Sequence, residues 1–376
     1  MLKIVADDKI PFLAGVLEPF AMVEYLPGSK IMRNHLTGAD ALIVRTRTRC
    51  NAGLLEGTNV RFIASATIGH DHIDQQYCER KGIAWQSAPG CNSASVVQYM
   101  ASALALIIRK TGMKPDKLTF GIIGAGNVGK KLIALCETLG IRTLVNDPPR
   151  QRTEGVGAFC SLDELLRYSD IVSFHVPLTM TGPDKTYHMA EEGFFKKIKT
   201  GAWLVNTSRG EVINTGAIKI ALRKDKIQGA VIDVWENEPI IDLELLHMAF
   251  LATPHIAGYS ADGKANGTAM SVQALSRFFG LGLDDWRPEN LPEWPVSVIN
   301  PDPGIESKMK LFTDLSLKAY PISQDDSTLR MNPGSFEMLR ENYPVRREPP
   351  ALSVNTKMLH NDYRDFISRL GYKLLA

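Results

Sequence analysis

The stretch Leu118-Thr119-Phe120-Gly121-Ile122-Ile123-Gly124-Ala125-Gly126-Asn127-Val128-Gly129 constrains this chain more than any other. An apolar, β-branched run enters a G-x-G-x-x-G turn, and Lys130 to Leu139 follows with helical apolar spacing. Each glycine has a physical task in such a turn. Gly124 allows the tight strand-to-helix reversal, Gly126 lets backbone approach a pyrophosphate, and Gly129 lets the helix pack closely on the strand. The helix N-terminus, starting with Asn127 and Val128, adds free N–H groups and the positive end of the helix dipole. A glycine triplet alone is weak evidence, because turns before helices often carry glycine. Here a second strand, Thr143 to Asn146, ends in Asp147 about twenty residues downstream, where an acid binds the ribose hydroxyls of a dinucleotide.

The rest of the chain repeats the strand-then-helix alternation that builds parallel sheets. Before the glycine turn, strands are predicted at Lys3 to Ala6, Met22 to Tyr25, Ala41 to Val44, Phe62 to Ser65 and Ala84 to Gln86. Helical spacing fits Pro11 to Phe20, Gly53 to Leu55, Ile73 to Lys81 and the long apolar run Ser93 to Arg109. After the turn, strands are predicted at Ile171 to Phe174, Ala202 to Asn206, Gln228 to Ile232 and Leu251 to Thr253. Ser161-Leu162-Asp163-Glu164 has capping-box form, and helices fit Thr215 to Arg223 and Lys264 to Phe279. The fold class is therefore α/β, with two doubly wound parallel-sheet domains. Beyond Gly280 the Pro- and acid-rich stretch 285–303 has the punctuation of a linker. A short α+β unit follows, with a helix at 333–342, a strand at 351–354 and a helix at 363–370. So small a unit would be marginal alone and is expected to dock on the main body or on a second subunit.

Composition narrows the class of partner. Lys plus Arg is 43 against 41 for Asp plus Glu, a net charge of +2, which argues against nucleic acid or a membrane surface. The longest apolar run, Met100 to Ile108, is far too short to span a bilayer. The N-terminus runs straight into a strand pattern, so no signal peptide is expected. The 5 cysteines are scattered, without C-x-x-C, and read as reduced thiols of a cytoplasmic protein, with no metal site.

Three polar residues follow predicted strand ends, where open α/β sheets bind ligands: Arg209, Glu238 and His255. Together they suit oxidation of a 2-hydroxy acid. A planar guanidinium holds a carboxylate through paired hydrogen bonds, an imidazole takes the hydroxyl proton, and a carboxylate bonded to the imidazole fixes its orientation. Taken singly, a strand-end arginine, a Glu-Pro turn and a core histidine would be ordinary structure. Their order after a dinucleotide turn favours the chemical reading.

The motifs Gly124 to Gly129, Asn206-Thr207-Ser208-Arg209-Gly210, Asp233-Val234-Trp235-Glu236-Asn237-Glu238-Pro239 and Pro254-His255-Ile256 resemble the D-isomer-specific 2-hydroxyacid dehydrogenases over roughly the first three quarters of the chain. The resemblance implies that Arg209, Glu238 and His255 are the catalytic set and that the active form is a dimer. It implies NAD contacts at Gly124, Gly126, Asn127, Val128, Gly129, Asp147, Thr207, Ser208, Arg209, Asp233 and Gly258. At Val176 relatives can carry threonine, so only a backbone contact to NAD would remain. Substrate contacts are implied at Thr46, Thr67 and Tyr259, with Arg45 beside them; which of Arg45, Arg47 and Arg49 meets a phosphate is open. Three domains are implied: a flavodoxin-like substrate domain at 1–92 and 257–284, a Rossmann NAD domain at 93–256, and a C-terminal dimerisation domain at 285–376. Ala88-Pro89-Gly90-Cys91-Asn92, Asp147-Pro148-Pro149-Arg150, the segment Pro254 to Ser260 with Gly263-Lys264-Ala265, and tail motifs at Pro333 to Phe336, Arg340 to Tyr343 and Arg346-Arg347-Glu348 are similar to a branch acting on a small phosphorylated hydroxy acid. Two other readings stand beside it: a sister dehydrogenase for another hydroxy acid such as 3-phosphoglycerate, and a non-enzymatic NAD-sensing regulator.

Overall fold

The computed structural model describes residues 1–294, 297–302, 304–357 and 359–375. The chain divides into two compact units, Met1–Asn92 with Ser260–Pro292, and Ser93–Tyr259 with Glu293–Ala376. Part of the linker expected at 285–303, residues 295, 296 and 303, lies outside the described residues.

In the first unit, β1 (Leu2–Asp7), β2 (Ala21–Leu26), β3 (Ala41–Val44), β4 (Phe62–Ser65) and β5 (Ala84–Gln86) form one sheet in the order β2-β1-β3-β4-β5. All four pairings are parallel. Side chains alternate between faces along each strand. Val5, Leu42, Val44 and Ile63 join one apolar cluster, while Ile4, Ala6, Ile43 and Ala64 join the other. The helix Ala261–Phe279 covers the second face with Val272 and Leu275.

The helix expected over Pro11 to Phe20 does not form; this segment is a series of turns. Phe12 and Gly15 sit at φ 64° and 85°, outside helical geometry. The Glu18 carboxylate accepts the N–H groups of Gly15 and Leu17, so a side chain replaces the helical carbonyl acceptors.

In the second unit, β6 (Thr119–Ile123), β7 (Arg142–Asn146), β8 (Ile171–Phe174), β9 (Ala202–Asn206), β10 (Ile227–Ile232) and β11 (Leu251–Ala252) form a parallel sheet in the order β11-β10-β9-β8-β6-β7. The order reverses at β6, the topological position where α/β sheets open a crevice. Helix Leu162–Tyr168 starts as its capping sequence predicts, with Ser161 accepting the Glu164 N–H at 3.1 Å. The helix Ser93–Thr111 is buried along most of its length.

The C-terminal segment packs on that helix. Its β12 (Val298–Ile299), β13 (Ser353–Asn355) and β14 (Lys373–Leu375) make a small parallel sheet. Two unanticipated helices precede β13, Lys308–Ala319 and Ser323–Met331. Leu311, Phe312 and Leu315 share one core with Val96, Tyr99 and Met100 of helix Ser93–Thr111. Ser102 Oγ donates to the Ser316 carbonyl, and Ser95 Oγ to the Glu348 carboxylate. The helix expected at 333–342 is a 3-10 turn, Pro333–Ser335, followed by helix Phe336–Glu341. Among the described residues no helix is long and apolar enough to cross a membrane.

Candidate active site

The glycine loop has the geometry its sequence predicts. Gly124 sits at φ +92°, and a Cβ there would lie 2.5 Å from the His175 carbonyl oxygen. A Cβ on Gly129 would lie 2.2 Å from the Gly124 carbonyl oxygen, whereas at Gly126 nothing lies within 4 Å. The loop is thus closed toward β8 and its own helix, and open where a phosphate would approach. Gly126 caps helix Asn127–Leu139 without a side-chain bond, leaving the first-turn N–H groups, from Asn127 and Val128 onward, to a ligand.

Asp147, at the end of β7, accepts the Ala125 N–H at 2.8 Å and the Arg150 N–H at 3.1 Å. It therefore ties the glycine loop to the following helix. Both nearby arginines are taken by carboxylates: Arg150 by Glu154, with a further bond to the Ala125 carbonyl, and Arg152 by Asp184. Val176 packs beside Gly124, its Cγ1 lying 2.9 Å from where a Gly124 Cβ would stand.

After β9, Asn206 organises the turn. Its Oδ1 accepts the N–H and hydroxyl of Ser208, and its Nδ2 donates to the Arg209 carbonyl. Thr207 Oγ1 is buried without a hydrogen-bond partner, an orphaned polar atom of the kind that a bound ligand satisfies. With the open glycine loop, it fits a dinucleotide. Arg209 Nη1 donates to the Ser208 carbonyl. Gly210 brings this turn against the loop after β10, since a Cβ there would lie 2.0 Å from the Trp235 carbonyl carbon and oxygen.

That loop carries Glu238. Its Oε1 accepts the Trp235 N–H at 2.9 Å, and its Oε2 lies 2.7 Å from His255 Nδ1. Burial pushes the Glu238 carboxyl upward, but the charge and hydrogen bond of His255, the Trp235 N–H and the charge of Arg340 outweigh it and hold the group below its ordinary value. The carboxylate fixes the ring proton on Nδ1 and leaves Nε2 to act on a substrate.

Asp233, at the end of β10, is buried. Its Oδ1 accepts the Thr253 hydroxyl and the Ile256 N–H, and its Oδ2 accepts the Ala257 N–H. The Asp233 carboxylate thus braces the chain on the C-terminal side of His255. Tyr99, from helix Ser93–Thr111, extends the network by bonding to Thr253 Oγ1 at 2.7 Å. Gly258 lies in the turn closed by the Tyr259 N–H on the Ile256 carbonyl, and the Tyr259 ring meets Tyr343 edge-on.

The remaining predicted residues belong to the first unit. Arg45, after β3, donates from Nε and Nη2 to both oxygens of buried Asp7, each at 3.1 Å, so one edge of its fork is already engaged. Thr46, Arg47 and Arg49 are exposed. Thr67 Oγ1 donates to the Gly69 carbonyl and meets Ser65 Oγ. Sequence reasoning passed over Asn206 and Thr253, both of which follow or end a predicted strand. Tyr99 carries no local signal, and Arg346 stands in a tail motif to which the sequence gives no role, because their partners are more than a hundred and about ninety residues away in the chain, respectively.

An open glycine loop and a carboxylate-held histidine on one parallel sheet define an NAD-dependent dehydrogenase of 2-hydroxy acids. A family model described as the NAD binding domain of D-isomer specific 2-hydroxyacid dehydrogenases matches residues 106–257, and a domain of unknown function matches 291–371. Erythronate-4-phosphate dehydrogenase of Bacteroides fragilis is 47% identical over 359 residues, covering 94% of this chain and 99% of that one. The Escherichia coli enzyme of the same name is 39% identical over 360 residues, covering 94% of each. Among solved structures, D-lactate dehydrogenase from Aquifex aeolicus, complexed with NAD and lactic acid, is 26% identical with a TM-score of 0.60, covering 75% of this chain and 96% of that one. The chain belongs to the D-isomer-specific 2-hydroxyacid dehydrogenases and, within them, to the erythronate-4-phosphate dehydrogenase family.

Proposed function

We propose that the protein oxidises 4-phospho-D-erythronate to 2-oxo-3-hydroxy-4-phosphobutanoate with NAD, a step of pyridoxal 5'-phosphate biosynthesis. The observation that carries the chemistry is the 2.7 Å contact between His255 Nδ1 and Glu238. The relatives' shared name, over nearly their whole length, supplies the substrate.

Bound NAD supplies the hydride acceptor. The chain's own groups do the rest. His255 Nε2 takes the proton of the C2 hydroxyl while the C2–H electron pair leaves as hydride and the C2–O bond becomes a carbonyl. Glu238 stabilises the imidazolium that forms and keeps the ring oriented. Arg209 holds the substrate carboxylate and the developing carbonyl through its planar fork. Gly124 to Gly129 and Thr207 to Arg209 would hold the dinucleotide, with Asp147 for its ribose hydroxyls and Asp233, Gly258 and the Val176 backbone as further contacts. Asp147 favours NAD, because a 2'-phosphate would meet a carboxylate, and Arg150 and Arg152 are both engaged elsewhere. Thr46, Thr67 and Tyr259 complete the substrate contacts. Arg45 contributes from the edge that Asp7 leaves, with Arg47 or Arg49 for the phosphate.

The active form is a cytoplasmic homodimer joined through the C-terminal segment. In support, Val298, Met331, Met338, Val345, Leu374 and Leu375 are large apolar side chains exposed there, surface that a partner subunit would cover. The free cysteines fit a reducing compartment.

Formation of the 2-oxo product from 4-phosphoerythronate, measured against erythronate and 3-phosphoglycerate with a 2-oxo acid added to reoxidise bound NADH, tests the assignment. Strong preference for 4-phosphoerythronate is expected. His255→Ala should abolish most turnover and leave NAD binding nearly intact; equal loss of both would remove His255 from its role. Preference for 3-phosphoglycerate would keep the mechanism and change the substrate. Bound NAD without turnover on any acid would indicate the regulator.

A further inference from the structure

His255 holds a backbone conformation that an L-residue does not choose freely, with φ at 56°. Left-handed geometry is disfavoured at a residue with a Cβ and persists where the surroundings impose it. The surroundings here are specific. The His255 N–H donates to the Asp233 carbonyl at 2.7 Å, and the Asp233 carboxylate takes the N–H groups of Ile256 and Ala257 at 2.8 and 3.0 Å.

The carbonyls of the same two residues are held by Arg346. Its Nη2 donates to the Ala257 carbonyl at 2.6 Å and to the Ile256 carbonyl at 3.3 Å. Arg346 comes from the C-terminal segment, which a domain of unknown function matches, and it is 1% exposed. The guanidinium carbon lies 4.4 Å from the centre of the Tyr320 ring. Tyr320 and Tyr343 both donate to the Asp325 carboxylate, at 2.5 and 2.8 Å. Nε and Nη1 of Arg346 have no hydrogen-bond partner, so the buried cation leans on aromatic faces and a nearby carboxylate rather than on a salt bridge. A merely adhesive contact between segments would not require burying a charge at that cost. What the buried guanidinium adds is directional: two carbonyls, one residue and two residues after His255.

We propose that Arg346 is a positioning residue for the reaction, clamping Ile256 and Ala257 against Asp233 so that His255 stays in its left-handed conformation with Nε2 toward the substrate. The C-terminal segment thereby takes part in catalysis through His255, in addition to any role in subunit association. This rests on His255 being the proton acceptor proposed above.

The test is a double-mutant cycle on the full-length enzyme, with Arg346→Met and His255→Ala singly and together, reading single-turnover NADH formation from 4-phosphoerythronate and NAD affinity. Arg346→Met alone is expected to lower the hydride-transfer rate at least ~10-fold, as misplacement of a reacting group does, with NAD affinity within about threefold of wild type. In the His255→Ala background the same change should cost almost nothing further, because no imidazole remains to be positioned. A purely structural Arg346 would cost the same factor in both backgrounds, and that result overturns the proposal, as does an unchanged rate in Arg346→Met. Where Arg346→Met fails to fold, Arg346→Lys, which keeps the charge and a donor, runs the same cycle with the same criterion. His255→Ala turning over like wild type would instead sink the role assigned to His255.

Discussion

Glu238 Oε2 and His255 Nδ1 stand 2.7 Å apart although they leave different strands, β10 and β11. The other Glu238 oxygen is fixed by the Trp235 N–H, so the imidazole is oriented by a carboxylate that cannot itself rotate away. Glu238→Gln keeps the shape and removes the charge. It should lower kcat by about 10- to 100-fold with NAD affinity unchanged, since it withdraws stabilisation only from the imidazolium formed during reaction. Steady-state kinetics beside NAD titration checks this.

Arg209→Lys should lower kcat/KM for the hydroxy acid by roughly 100-fold. An ammonium retains the charge but cannot hold carboxylate and forming carbonyl in one plane. The loss should appear in kcat/KM rather than in NAD affinity, measured by initial rates at saturating NAD.

Gly210→Ala should destabilise the protein. The added Cβ would lie 2.0 Å from the Trp235 carbonyl carbon and 2.5 Å from the Glu236 nitrogen. These are backbone atoms that cannot swing aside, so a cost of about 3 kcal/mol is expected, seen as a Tm lower by about 4 °C. Turnover should fall as well, because the same contact seats Arg209 beside the Glu238 loop.

His175 sets a pH dependence. Burial lowers its pKa to about 3 from the ordinary 6.5 of an imidazole, and its Nε2 lies 2.8 Å from Ser173 Oγ. Between those values the unfolded chain binds a proton that the folded one refuses, so stability rises with pH and is lost as pH falls below 6.5. His72, lowered to about 4 by burial, adds to the same trend. In His175→Gln the fall of Tm between pH 6.5 and pH 4 should be visibly shallower than in wild type, by calorimetry.

The sequence by itself determined the glycine loop, the strands that flank it and the order in which Arg209, Glu238 and His255 follow strand ends. Those features are legible because they are local: a glycine spacing, a β-branched run and a polar residue directly after it lie within one short window. Where neighbours in the chain decided less, local pattern misled. Pro11 to Phe20 has helical spacing, yet Glu18 captures its backbone N–H groups and Phe12 and Gly15 turn left-handed. Ser323–Met331 buries only Leu329 and would be weak as an isolated helix. It is held by Asp326 on the Ala252 N–H and by Arg330 on the Leu246 and Ala249 carbonyls. Arg45 and Asp7, on neighbouring strands, pair across a distance that no window spans. Only the tertiary structure could decide such matters, because a charge or a donor far along the chain has no fixed partner until parallel strands and packed helices set it beside one. The clamp of Asp233 and Arg346 on Ile256 and Ala257 is the clearest case, because its two jaws lie far apart in the chain and meet only in the folded unit.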